Sequence, residues 1–235
     1  MKSKFFIIYN GKMNTEMNVT VRQRPDMPTP QREYETIKVE GMDGELYEDK
    51  ETYEDIQVEV EFNFRAEPEE WQSRFRKIKR WLHGDEDHRL IMSDDMEYFY
   101  NVKKVEIADT ERVIKRIGRF KATFTCEPYA YKKSGTEIVD LESILVNEYE
   151  KTYPVYYIYG KGKIALTVNG NTVNADVDKR ITIDTKLGLC YTETDIMENT
   201  VLMGDYDDII LQKGTNTFKY TKGFDVRIKP NWRSL

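Results

Sequence analysis

His83 and His88 are the two imidazoles of this 235-residue chain, and Cys126 and Cys190 are its two thiols. These are the side chains best suited to general-base, nucleophilic or metal chemistry near neutral pH. Their settings argue against that use. His83 closes a helical pattern, where an imidazole suits the terminal carbonyls, and His88 follows Asp85-Glu86-Asp87 without His-x-x-x-His spacing. Cys126 falls on the apolar phase of an alternating run, and Cys190 sits in Leu187-Gly188-Leu189-Cys190-Tyr191. Both read as buried free thiols, with no zinc-site spacing and no adjacent base.

Paired carboxylates would be needed for glycoside hydrolysis, held about 5 to 9.5 Å apart. Asp176, Asp178, Asp184 and Asp207-Asp208 could supply them, but so could any acidic surface. No Gly-x-Ser-x-Gly elbow, phosphate-cradling glycine loop or dinucleotide fingerprint is present. The chain therefore reads as a non-enzyme with no catalytic residue, cofactor or metal. The remaining candidate is a platform: Tyr156, Tyr157 and Tyr159 in Pro154–Gly160 could hold a sugar or a protein partner. Tyrosines at strand spacing also serve as core and interface residues, so that alternative stands beside it.

The elements that would carry these residues are almost all strands. Ile56, Val58, Val60, Phe62 and Phe64 alternate with Gln57, Glu59, Glu61 and Asn63, the pattern of a half-buried strand. Phe120, Ala122, Phe124 and Cys126 repeat it before Pro128 stops the run. One helix is expected from about Pro68 to His83, with Trp71, Phe75, Ile78 and Leu82 as its apolar stripe and Arg74 to Arg80 placing cations toward its end. Pro25, Pro28 and Pro30 mark an exposed extended loop, and Glu48-Asp49-Lys50-Glu51 reads as a solvated connection. Residues 102–108 and 113–124 read as a hairpin arm turning near Asp109–Arg112 and projecting beyond the sheet. Past the polar run Lys132-Lys133-Ser134-Gly135, short strands recur at regular spacing, with Asn169-Gly170 as a hairpin turn. That predicts a mainly β chain of two domains. Residues 1–132 would form a β-sandwich with one α-helix, and 133–235 an antiparallel β-sandwich.

Net charge is −6, and a cut near residue 132 leaves more acids than bases on both sides. A basic half suited to nucleic acid is absent from the composition, so no nucleic-acid binding is expected. The apolar run Phe5–Tyr9 is too short for a signal peptide or a membrane span, which predicts no membrane insertion and assembly in the cytoplasm.

The segment Gly118–Tyr131 carries more specific information. Its Phe-x-Cys-x-Pro-Tyr-x-Tyr ending, some forty residues after a Trp-containing helix, resembles the distal tail proteins of long-tailed bacteriophages. Gly41-Met42-Asp43-Gly44-Glu45-Leu46 is similar to a turn of that family's first domain. Trp81-Leu82, Tyr98 and Tyr100, Pro154–Gly162 and Pro230-Asn231-Trp232-Arg233 follow in the family's order.

The resemblance implies a structural protein of the virion tail tip. A homohexameric ring would join the tail tube protein to the tail-tip protein and to receptor-binding or baseplate proteins. It further implies a galectin-like second domain, although no histidine follows His88 to complete a galectin sugar site. Phe5, Pro28, Arg112, Lys115 and Arg116 are the candidate subunit contacts. The alternative function is a carbohydrate-binding module used in recognition of the host cell wall.

Overall fold

The computed structural model describes residues 5–109, 111–192, 194 and 196–235, without the side chains of residues 112–114. The chain divides into two compact units, one up to Ala130 together with Leu235, the other Tyr131–Ser234.

The first unit contains β1 (Ile7–Tyr9), β2 (Lys12–Met13), β3 (Val19–Val21), β4 (Arg32–Ile37), β5 (Leu46–Tyr53), β6 (Ile56–Arg65), α1 (Trp71–Leu82), β7 (Arg89–Met92), β8 (Asp95–Ile107), β9 (Glu111–Ile114) and β10 (Ile117–Lys132). One curled antiparallel sheet runs β2-β1-β7-β8-β10-β6-β3, and β9 also pairs with β10. β6 and β10 form its spine. Their register sets Phe62 opposite Phe120 and Val58 opposite Phe124, so the alternation read in each strand reaches the same face. That face is covered by α1, whose Trp71, Ile78, Trp81 and Leu82 are buried and whose Phe75 stacks on Phe64 at 5.8 Å. The helix is shorter than the expected Pro68–His83, because Pro68, Glu69 and Glu70 form a preceding turn.

The sequence reading sets the projecting hairpin at residues 102–124. In the structure β8 and β10 are inner strands, each flanked on both sides. The hairpin that stands apart from the large sheet is β4–β5, which forms a two-stranded sheet of its own.

The second unit contains β11 (Val139–Asp140), β12 (Ile144–Asn147), β13 (Val155–Tyr159), β14 (Gly162–Val168), β15 (Asn171–Val177), β16 (Arg180–Asp184), β17 (Leu189–Thr192), β18 (Leu202–Met203), β19 (Gly214–Tyr220), β20 (Asp225–Lys229) and β21 (Arg233–Ser234). Two five-stranded sheets, β11-β20-β13-β16-β17 and β12-β19-β14-β15-β18, share one core. Ile158, Ile183, Cys190 and Val226 enter it from the first sheet, and Leu166, Val173, Val177 and Phe218 from the second. The β14–β15 turn uses Asn169 and Gly170 at φ 53° and 95°, the left-handed pair that strand twist favours in a two-residue hairpin. Among the described residues no helix is long and apolar enough to cross a membrane.

Candidate assembly surface

The β4–β5 arm is the first unusual surface. Every residue from Gln31 to Thr52 is exposed. Tyr34, Ile37, Val39, Met42, Leu46 and Tyr47 nevertheless give it an apolar character, with Tyr47 66% exposed. Its ion pairs are internal: Arg32 with Asp49 at 3.0 Å, Lys38 with Glu45 at 3.4 Å, and Lys50 with Glu35. At the root, Glu54 N–H donates to the Gln31 carbonyl at 2.9 Å, and Tyr53 meets Tyr129 edge-on. A two-stranded ribbon without a sheet or helix beneath it is marginal in water. Such an arm calls for a second surface to lie on. Glu48–Glu51, read from sequence as a connection, belongs to β5 itself.

A second unusual surface is the outer face of α1. Arg76, Lys77, Lys79 and Arg80 are exposed, Arg74 is half-buried, and none of these five has an ion pair among the described residues. Arg76 lies three and four positions from Lys79 and Arg80, and Lys77 lies three from Arg80. Like charges at these spacings each cost about 0.2–0.5 kcal/mol in a helix. The apolar stripe was readable in the sequence; the cations appeared there only as complements to the helix dipole. Their wrap around the solvent face follows from the same 3.6-residue period and could have been read from it.

The candidate contact residues occupy separate places. Phe5 is half-buried against the first core, with the Arg24 guanidinium 5.7 Å from its ring centre. Pro28 lines a groove of about 290 Å³, where the proline loop crosses Gln57, Glu59, Glu61 and Lys121 on the polar face of β6 and β10. Lys115 and Arg116 form the β9–β10 turn, with Arg116 paired to Glu67 at 3.0 Å just before α1. The Arg112 side chain lies outside the described residues.

In the second unit the three tyrosines do not share a face. Tyr156 is fully buried and its hydroxyl donates to the Ile209 carbonyl at 2.7 Å, so it belongs to the core and not to a platform. Burial drives its pKa well above the ordinary tyrosine value. The correction follows from strand alternation: Tyr157 and Tyr159 stand two residues apart on the outer side. Across the strands, Tyr157 faces Arg227 and Thr182, and Tyr159 faces Asp225 and Arg180. Arg227 sits 5.4 Å from the centre of the Tyr159 ring and bonds Asp225 at 2.8 Å. The sandwich edge at β11 and β12 is also apolar, exposing Val139, Ile144 and Val146.

Neither thiol is presented for chemistry. Cys126 and Cys190 are free and buried. Burial, aided by Asp55 and Glu127, pushes Cys126 up to about 12, and burial with Glu198 nearby pushes Cys190 up to about 11. Thiols so protonated are poor nucleophiles. Among the described residues no group of three or more His, Cys, Asp or Glu side chains could hold a metal ion.

The family model described as the phage tail protein RIFT-related domain matches residues 14–126, nearly the whole of the first unit. The first unit is similar to this phage tail family over nearly its whole length. A solved structure extends the likeness beyond that domain. The Dit protein of phage SPP1, titled a paradigm of the hub adsorption apparatus in phages infecting Gram-positive bacteria, superposes with a TM-score of 0.71. The match covers 99% of both chains at 15% sequence identity, so both units share the Dit fold. No curated protein matches the sequence. The phage tail domain and the shared fold bear out the resemblance to distal tail proteins.

Proposed function

We propose that the chain is the hub subunit at the distal end of a siphophage tail. Six copies form a ring joining the tail tube to the tail-tip protein and the adsorption apparatus. The first unit builds the ring, and the second carries the docking surface for receptor-binding or baseplate proteins. The function is assembly and not turnover. A head-to-tail contact that closes on itself gives every projecting arm a partner and ends the assembly.

The observation that carries this reading is the β4–β5 arm on a phage tail domain: 22 consecutive exposed residues from Gln31 to Thr52, with an apolar set and no core beneath. Light scattering on the purified chain, with negative-stain imaging, tests it. The expected result is a hexamer, or a concentration-dependent approach to one. A monomer at every concentration in several buffers overturns it.

A second reading rests on the outer face of the second unit, where Tyr157 and Tyr159 lie beside Arg227, Asp225 and Arg180. Aromatic faces next to charged hydrogen-bonding groups suit a saccharide, which would make this unit a carbohydrate-binding module for the host cell wall. Titration with cell-wall saccharide tests it, with saturable binding lost in Tyr157→Ala and Tyr159→Ala as the supporting result.

A further inference from the structure

We infer that the β4–β5 arm of one copy docks on the cationic outer face of α1 in the next copy. This rests on the ring reading and names the partner surface within it.

The charges are complementary. On the arm, the three bases Arg32, Lys38 and Lys50 are each matched internally, by Asp49, Glu45 and Glu35. That leaves Glu33, Glu40, Asp43, Glu48 and Glu51 without an ion pair among the described residues. The helix presents the converse: Arg74, Arg76, Lys77, Lys79 and Arg80 in twelve residues, with no acid in the helix and no ion pair. Arg65, exposed at the end of β6, extends this positive field toward Arg74. In a chain whose net charge is −6, an unneutralised run of five cations is a localised exception.

The two surfaces also lie apart within one copy. The arm returns to the sheet through Glu54 and Asp55 at Ile56, which pairs with Cys126. The helix packs over the other end of the same strand: Trp71 against Phe64 and Trp81 against Phe62. Ile56 and Phe64 are separated by about 26 Å of extended strand. A contact between different patches on successive copies is heterologous, the type that generates rings. The aliphatic stems of Arg76, Lys77 and Arg80 give the exposed Ile37 and Leu46, which share one face of the arm with Glu48, apolar surface to cover while the charged heads reach the arm's carboxylates.

The test is charge reversal in the full-length chain, followed by sedimentation velocity at several salt concentrations. Arg76→Glu with Arg80→Glu, and separately Glu48→Lys with Glu51→Lys, are expected to weaken assembly at least tenfold. Their circular dichroism and melting temperatures should match wild type, because all four residues are exposed. Mixing the two double variants is expected to restore mixed oligomers, and wild-type assembly should weaken as salt rises. A wild-type ring that ignores both reversals and salt overturns the pairing and leaves the ring standing. A wild-type monomer throughout overturns the ring, and the pairing with it. Binding of a duplex oligonucleotide that is lost on Arg76→Glu/Arg80→Glu, with the ring intact, assigns the face to nucleic acid and likewise overturns the pairing.

Discussion

The indole Nε1 of Trp81 donates a 2.8 Å hydrogen bond to the main-chain carbonyl of Tyr9, tying the end of α1 to the first strand across 72 positions. Asn10 completes the link. Its side-chain amide donates to the Trp81 carbonyl at 3.0 Å, and its oxygen accepts from Asp87 N–H at 3.0 Å. Asn10 is buried and adopts φ 49°, a conformation that asparagine tolerates better than most residues.

Asn10→Ala should therefore lower the unfolding free energy of the first unit by about 2–3 kcal/mol, since one buried and one partly buried hydrogen bond lose their partner. Urea unfolding followed by tryptophan fluorescence checks it. Trp81→Phe should destabilise by about 1–3 kcal/mol, because the indole donor is lost and the smaller ring leaves a void in a buried site.

Gly118 stands opposite Phe64 in the β6–β10 pair, and a Cβ there would lie 2.2 Å from the Phe64 ring. Gly118→Ala is expected to destabilise by about 1–3 kcal/mol through overpacking. The denaturation midpoint should fall with an unchanged m-value.

Removal of the arm should separate folding from assembly. Replacing residues 33–52 by a short Gly-Ser turn should change stability by less than about 0.5 kcal/mol, the range of surface changes away from packed features. The same variant should be monomeric by light scattering. A large loss of melting temperature would show that the arm supports its own subunit.

The buried thiols predict an alkaline limit. Both pKa values are raised in the folded protein, mainly by burial, from an ordinary thiol value of 9.0. A raised folded pKa gives stability that is complete below the unfolded value and lost as pH climbs through the folded one. Melting temperature should decline from about pH 9 upward, toward pH 11 for Cys190 and pH 12 for Cys126. Buried Tyr156, also raised, adds to the decline. Cys126→Ala should flatten the slope, as melting curves between pH 8 and 11 would show.

Much of the scaffold was legible because it is local. The alternation in Ile56–Phe64 and Phe120–Cys126, the α1 stripe and the Asn169-Gly170 turn each follow from periods and backbone preferences within a few residues. The surfaces were harder. Residues 46–53 carry no clean two-residue alternation of apolar and polar types, since both faces of β5 meet solvent, so the strand was hidden among its acids. Tyr156 is set apart from Tyr157 and Tyr159 by its phase along β13, which turns it into the core, so a tyrosine-rich run does not by itself make a platform. The position of the free hairpin depends on which strands pair in the large sheet, and that is decided by long-range contacts such as β8 with β10.

One cysteine lies in each core, Cys126 in the first and Cys190 in the second, and the chain has no others. The molecule thus holds two built-in reporters of breathing. A maleimide pulse, read by peptide mass, would time the opening of each half separately, without an engineered cysteine.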